Sequence, residues 1–265
     1  MTFGATDPVG AIGLQADLAS FAAMGCHGVS VVTAICIGDT ARIEDVEVTE
    51  ADWVADQARV VLEDMPVAAF KVGVVGSVEN VSVIAEIVSD YPDIPLVLDP
   101  FITAMPDDVQ EGDDLLMAIR ELLVPQATLM VLSAVELVRL AETWREPSHD
   151  DTLAEDAMRL IEHGCEFVFV TGTPSQAQQV GNTLFSDAGV VRQDVWPRLP
   201  GSFTGAGSTL SATIAAGLAN GLDVPEAVSE AQEFTNAALG CAQRLGMGKL
   251  VPDRYFWARE PSLDN

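Results

Sequence analysis

Ala68-Ala-Phe-Lys-Val-Gly-Val-Val-Gly-Ser-Val-Glu-Asn-Val-Ser-Val-Ile-Ala-Glu-Ile-Val-Ser-Asp-Tyr-Pro-Asp-Ile-Pro-Leu-Val-Leu-Asp-Pro100 contains the unit on which the rest of the chain is built. Ala68 to Val75 is an apolar run of the length of a buried strand. An amphipathic helix follows from Glu79 to Ser89, and Pro95 to Pro100 is another strand that stops in an acidic-proline turn. A strand covered on both faces reads as a continuous apolar run, so this order points to parallel strands joined by a helix.

The same alternation extends in both directions. Toward the N-terminus, Phe3 to Gly13 is a short strand ending in a glycine-rich turn, and Leu14, Leu18, Phe21 and Ala22 recur at helical spacing up to Met24. Gly28 to Cys36 is a further β-rich run, ended by Gly38-Asp39-Thr40. Residues 41 to 48 read either as a strand or as an excursion over the site. Trp53, Val54, Ala58 and Val61 mark one side of a helix from Glu50 to Leu62. Toward the C-terminus, the acidic stretch Pro106 to Asp114 reads as a solvated loop leading to a helix through Leu123. Strand Thr128 to Leu132, helix Val135 to Thr143, a polar turn from Glu146 to Asp151 and helix Leu153 to His163 come next. Strand Glu166 to Thr171 stops at Gly172; Thr183 to Phe185 and Val190 to Val195 flank a Ser-Asp-Ala-Gly turn as antiparallel strands, and helices fill most of 224 to 245. The expectation is a single α/β domain over residues 1–265, with a mainly parallel sheet covered on both faces.

Gly201-Ser-Phe-Thr-Gly-Ala-Gly-Ser-Thr-Leu-Ser-Ala-Thr-Ile-Ala-Ala-Gly-Leu-Ala219 is where chemistry is expected. Gly205 and Gly207 allow a tight turn, and the N–H groups that follow lie at the positive end of a helix beginning near Ser208. Leu210, Ile214 and Leu218 form its apolar stripe. The local pattern suits an anion cradle and equally a glycine-rich loop before a core helix.

Composition restricts the partners. The 265 residues carry a formal net charge of −27, and Lys71 and Lys249 are the only lysines. Such a surface repels nucleic acid and anionic membranes. It suits a saline cytoplasm, where salt screens self-repulsion, or an acidic, arginine-using proteome. Mean hydropathy is +0.27, yet no apolar run reaches the roughly 18 residues of a spanning helix. The opening Met1 to Asp7 has neither a basic nor an apolar leader region, so a cytoplasmic location is expected. Cys26, Cys36, Cys165 and Cys241 lie far apart and read as free thiols, mostly in the core. His27, His149 and His163 have no zinc spacing.

In doubly wound folds ligands bind beyond the carboxyl ends of the strands. Asp7, Gly38 with Asp39, Lys71, Asp99, Ser133, Thr171 and the 204–208 turn interrupt the strand ends and should converge on one edge. Asp99 and Glu136 are placed to hold Mg2+ beside a nucleotide phosphate, or else are a turn former and a solvated helix carboxylate. Anion cradle, metal and a polar group near the attacking hydroxyl are the three parts that phosphoryl transfer needs.

Five collinear motifs carry a resemblance over nearly the whole chain. Asp7 to Leu18, Gly28 to Ala34, Lys71-Val-Gly73, Val97 to Pro100 and Gly205 to Ala212 resemble the signatures of hydroxymethylpyrimidine/phosphomethylpyrimidine kinases, members of the ribokinase-like superfamily. The resemblance implies a three-layer αβα fold and ATP-dependent phosphorylation of a pyrimidine hydroxymethyl group or its monophosphate, in thiamine biosynthesis. It implies ATP and Mg2+ as cofactors and a homodimer. Mapped onto this chain, Ala5, Asp17, Cys36, Gly38 and Val74 fall on the substrate side, and Thr171, Gly172, Thr204 and Ser133 on the nucleotide side. Asp99 and Glu136 match metal and phosphate positions; Gly205, Ala206, Gly207 and Ser208 match the anion hole and catalytic base.

Departures from the family pattern fall at the site. Ala11 replaces the second of two glycines, Ala5 replaces a glycine, Gly38 a pyrimidine-contacting Gln or Glu, Ser133 an asparagine and Thr171 a lysine. Ser208 stands where the family has Cys or Asp. A serine hydroxyl is a poor base without a partner, although it can orient a hydroxyl and leave the anion hole intact. The alternatives to a pyrimidine kinase are a non-catalytic pyrimidine- or vitamin-binding sensor and a pyridoxal-type kinase.

Overall fold

Leu96, Val97 and Leu98 are each fully buried, yet consecutive side chains enter different cores. Leu96 and Leu98 join Val81 and Ile84 on one face of a sheet, while Val97 joins Leu210 and Ile214 on the other. The two-residue period of a strand covered on both faces produces this division.

The computed structural model describes residues 1–101, 112–144, 152–175 and 178–258. Its strands are β1 (Thr2–Thr6), β2 (Ser30–Gly38), β3 (Ile43–Val48), β4 (Phe70–Val72), β5 (Leu96–Leu98), β6 (Leu129–Ser133), β7 (Phe167–Pro174), β8 (Gln179–Ser186) and β9 (Gly189–Pro197). Its helices are α1 (Gly13–Ala23), α2 (Ala51–Asp64), α3 (Val78–Ser89), α4 (Gly112–Ala118), α5 (Ala134–Ala141), α6 (Leu153–Glu162), α7 (Ala206–Ala219) and α8 (Val224–Gly240). The sheet order is β3-β2-β1-β4-β5-β6-β7-β8-β9. Strands β2 to β7 in that order run parallel, and β3, β8 and β9 are antiparallel to their neighbours. Helices α2, α3, α5 and α6 pack on one face and α1, α7 and α8 on the other, giving the three-layer αβα fold.

The chain leaves β1 toward β2 on one side and returns to β4 on the other. Such a reversal opens a crevice at the carboxyl ends of the two strands. Helix α7 is the centre of its layer, and every residue from Ser208 to Leu218 is buried. Its hydroxyls are satisfied: Thr209 donates to Gly205 O (2.7 Å) and Thr213 to Thr209 O (2.7 Å). Gly217 allows close approach to α8, since a Cβ there would stand 3.0 Å from that of Ala227.

Residues 43 to 48 are a strand, one of the two readings of that stretch. Several other elements differ from their sequence reading. Strand β4 covers only Phe70–Val72. Trp53 is solvent-facing, while Val54 and Ala58 are fully buried, so the buried side of α2 excludes the largest apolar residue. Gly172 does not end β7: it takes φ +72, and the strand continues to Pro174 across an irregular register. Helix α8 ends at Gly240, after which Gln243 pairs with Val251. Cys36 and Cys165 are buried, Cys26 is half-buried and Cys241 exposed; all four are free thiols. The acidic loop, apart from its last residues at the start of α4, the Glu146 to Asp151 turn and His149 lie outside the described residues.

Candidate active site

The loop after β1 is organised by one carboxylate. Asp7 accepts from the N–H groups of Val9 (3.0 Å), Ala11 (2.8 Å) and Ile12 (2.9 Å). Gly13 is required where the loop enters α1: it has φ +58, and a Cβ would lie 2.2 Å from Ala5 O.

This loop meets the turn before α7. Gly205 caps the helix at φ +90, and a Cβ there would come within 1.8 Å of Ala11 O. A Cβ on Gly207 would meet nothing within 4 Å, so the space beside the first turn is open to a ligand. Ser208 is 4% exposed and lies in that first turn. Free N–H groups and the helix dipole make the place electropositive. A further cation stands behind it. Arg254, 5% exposed, donates to Gly10 O (3.2 Å), Ala11 O (2.6 Å), Gly205 O (3.4 Å) and Thr209 Oγ1 (3.0 Å). Burial lowers the Arg254 pKa to about 10, against the pull of Asp17 and Asp7, so it remains cationic near neutrality.

A small pocket opens alongside, lined by Asp7, Ile12, Cys36, Gly38, Ile43, Phe101, Thr204 and Lys249 among others. The structure therefore brings Cys36 and Gly38 together and adds Thr204, which the sequence assigned to the nucleotide side. Ala5 and Val74 pack behind Cys36 in the same apolar cluster. Burial, followed by Asp7, pushes the Cys36 thiol up to about 11, which keeps it neutral. Gly38 is committed to the backbone: the β2–β3 register shifts there, and a Cβ would lie 2.7 Å from Arg42 O. Phe101, at φ +48, is a strained residue at the pocket wall that sequence reasoning did not single out.

The carboxylates form a layer beneath. Asp17 is 1% exposed; its Oδ2 accepts from Thr2 Oγ1 (2.6 Å) and Lys71 Nζ (3.0 Å), its Oδ1 is buried with no hydrogen-bond partner among the described residues, and it is not among the residues lining the small pocket. Lys71 Nζ is also 4.0 Å from Asp99 Oδ2, which accepts a 2.6 Å bond from Ser211 on α7. Burial pushes the Asp99 pKa up to about 6, opposed by Lys71 and Ser211 and reinforced by Glu136 and Asp17. Glu136 closes a capping box: its Oε2 accepts from Ser133 N (2.9 Å) and Oγ (2.7 Å), while Ser133 Oγ accepts from Glu136 N. The Ser-x-x-Glu spacing was the available signal for that role. Among the described residues no three His, Cys, Asp or Glu side chains gather as a metal cage.

On the far side, Thr171 donates to Leu132 O (3.3 Å) and Gly172 N–H to Asn182 Oδ1 (3.0 Å). Asn182 and Trp196 both donate to Gln232 Oε1, linking β8 and β9 to α8. Between these elements lies a cleft lined by Asn182, Trp196, Phe203, Leu210, Gln232 and Thr235 among others. It adjoins the start of α7.

The family model described as phosphomethylpyrimidine kinase matches residues 7–253. A hydroxymethylpyrimidine/phosphomethylpyrimidine kinase of Rhizobium meliloti (strain 1021) is 32% identical over 250 residues, covering 94% of this chain and 93% of that protein. Among solved structures, the ADP complex of Bacillus subtilis pyridoxal kinase matches with a TM-score of 0.84 at 24% identity, over 98% of each chain. The phosphomethylpyrimidine kinase of Clostridium difficile 630 matches with a TM-score of 0.73 at 26% identity, over 90% of this chain and 97% of that one.

Proposed function

Since this chain belongs to the phosphomethylpyrimidine kinase family, we propose that it transfers the γ-phosphoryl group of ATP to the hydroxymethyl oxygen of hydroxymethylpyrimidine or its monophosphate. The observation that carries this reading is the contact between two loops. The open first turn of α7 stands against the loop that borders the small pocket, with Gly205 and Ala11 in near contact. A phosphoryl group on the turn and an alcohol in the pocket would be neighbours.

In the proposed reaction the substrate oxygen attacks the γ-phosphorus as the bond to the bridging oxygen breaks, and ADP leaves. The amides of residues 205 to 208 receive the transferring group, with the Arg254 charge behind them. In a loose transition state a strong base is not demanded: Ser208 orients the alcohol, whose proton passes to the transferred phosphate or to solvent. The adenine side of ATP is assigned to the Trp196 and Asn182 cleft. Asp99 and Glu136 are the residues that would support Mg2+, which would supply charge neutralisation on the phosphates. Ala5, Cys36 and Val74 would pack the pyrimidine wall, and Asp17 acts through Lys71.

The proposed assembly is a single-domain homodimer in the cytoplasm. Supporting a dimer, Ile35 and Ile37 of β2 are about half exposed at alternate positions of the strand; sedimentation of the purified protein tests it.

Ser208 favours one competing reading, a ligand-binding protein without turnover. Rates of ADP release with hydroxymethylpyrimidine, its monophosphate and pyridoxal decide among the three. The proposal expects the highest kcat/KM with one of the pyrimidines. Turnover confined to pyridoxal would displace it, and binding without turnover would establish the sensor.

A further inference from the structure

The geometry points to Arg254 as a positioning residue that locks the loop after β1 and the turn before α7 into one unit, fixing the separation of alcohol and phosphoryl group. The inference rests on the kinase reading for its functional consequence and on the hydrogen bonds alone for its structural part.

Two consecutive peptide units are strung between opposite charges. The Gly10–Ala11 peptide gives its N–H to Asp7 Oδ2 (2.8 Å) and receives Arg254 Nη1 at its oxygen (3.2 Å). The Ala11–Ile12 peptide gives its N–H to the same Asp7 oxygen (2.9 Å) and receives Arg254 Nη2 (2.6 Å). In a planar trans peptide the C=O and N–H point in opposite directions, so carboxylate and guanidinium together fix the orientation of both units.

The same Nη2 reaches Gly205 O (3.4 Å), and Nε holds Thr209 Oγ1 (3.0 Å), which itself donates to Gly205 O (2.7 Å). With the Gly205 carbonyl turned inward, planarity directs the Ala206 N–H away from Arg254, toward the open side where a phosphate would sit. A lysine would keep the charge but could not reach three carbonyls and a hydroxyl in a planar fork.

The test compares full-length wild type with Arg254→Lys and Arg254→Met by amide hydrogen exchange and by kinetics. In Arg254→Met, residues 8 to 13 and 205 to 209 should lose protection together, by at least about tenfold, while β5 and β6 are unchanged. For both substrates KM should stay within about threefold while kcat falls by roughly 30- to 100-fold, with Arg254→Lys recovering part of the loss. Protection lost in only one stretch, or in neither, would overturn the inference, as would a fall in kcat and melting temperature together with a rise in both KM values in both variants. If the wild type forms no phosphate ester, the kinase reading fails while the exchange measurement still decides whether Arg254 joins the two loops.

Discussion

Lys71 Nζ lies 3.0 Å from Asp17 Oδ2 with both side chains at most 2% exposed, and the same ammonium stands 4.0 Å from Asp99. One buried cation thus serves two carboxylates beneath the candidate site. Removing it would leave both uncompensated in a poorly solvated place, whereas removing one carboxylate with it relieves part of the penalty. Lys71→Met should lose about 3–5 kcal/mol of stability in denaturant unfolding, and adding Asp17→Asn should restore some of it. A loss under about 1 kcal/mol, within the range of exposed pairs, would show that the pair is not what holds this layer together.

Asp99 makes stability and activity depend on pH in opposite senses. Its native pKa is raised from 3.8 to about 6, chiefly by burial. The folded state then binds the proton more tightly than the unfolded state, so this group's contribution is fully present below pH 3.8 and is lost as pH rises through about 6. The difference is on the order of 3 kcal/mol. Melting curves of wild type and Asp99→Asn should diverge between pH 4 and 6.5 and run parallel above; a constant offset across that interval would refute the assignment. Activity should fall below pH about 6, where the protonated carboxyl no longer supports a cation.

Much of this was legible in the sequence, for identifiable reasons. Leu96 to Leu98 and Leu129 to Leu132 are buried on both faces, so their apolar runs declare parallel strands and their ends declare the site edge. Gly172 misled because glycine ends strands in isolation, whereas here φ +72 carries β7 through an irregularity. Glu136 was ambiguous because a carboxylate one turn into a helix reads as a solvated side chain or as a metal position; the structure buries it in a capping box with Ser133. Arg254 was invisible: its partners Gly10, Ala11 and Gly205 lie 244, 243 and 49 residues away, and three of its four bonds go to backbone carbonyls, which leave no compositional trace.

Gly38 gives a prediction contrary to the simplest repair. The family's Gln or Glu at this position suggests restoring a polar contact, but β3 occupies the space: a Cβ would meet Arg42 O at 2.7 Å and Ile43 Cα at 3.0 Å. Gly38→Gln should cost roughly 1–3 kcal/mol and weaken hydroxymethylpyrimidine binding. Calorimetric titration and thermal unfolding of the variant check both; tighter binding at undiminished stability would mean that the hairpin yields.

The glycines of the cradle should behave differently from each other. Gly205→Ala forces a positive φ and a 1.8 Å clash with Ala11 O, so it should destabilise the fold by several kcal/mol. Gly207→Ala projects into open space and should leave stability within about 0.5 kcal/mol while weakening ADP binding. Equal effects of the two on unfolding, or unaltered ADP affinity in Gly207→Ala, would contradict a phosphate site there.

Formation of phosphorylated hydroxymethylpyrimidine from MgATP, followed by mass spectrometry for wild type and Ser208→Ala side by side, tests the central claim most directly. If the amides of the α7 turn carry the catalysis, both proteins form the ester and the variant stays within about tenfold of wild type. Wild type that binds both ligands and forms no ester would contradict the account.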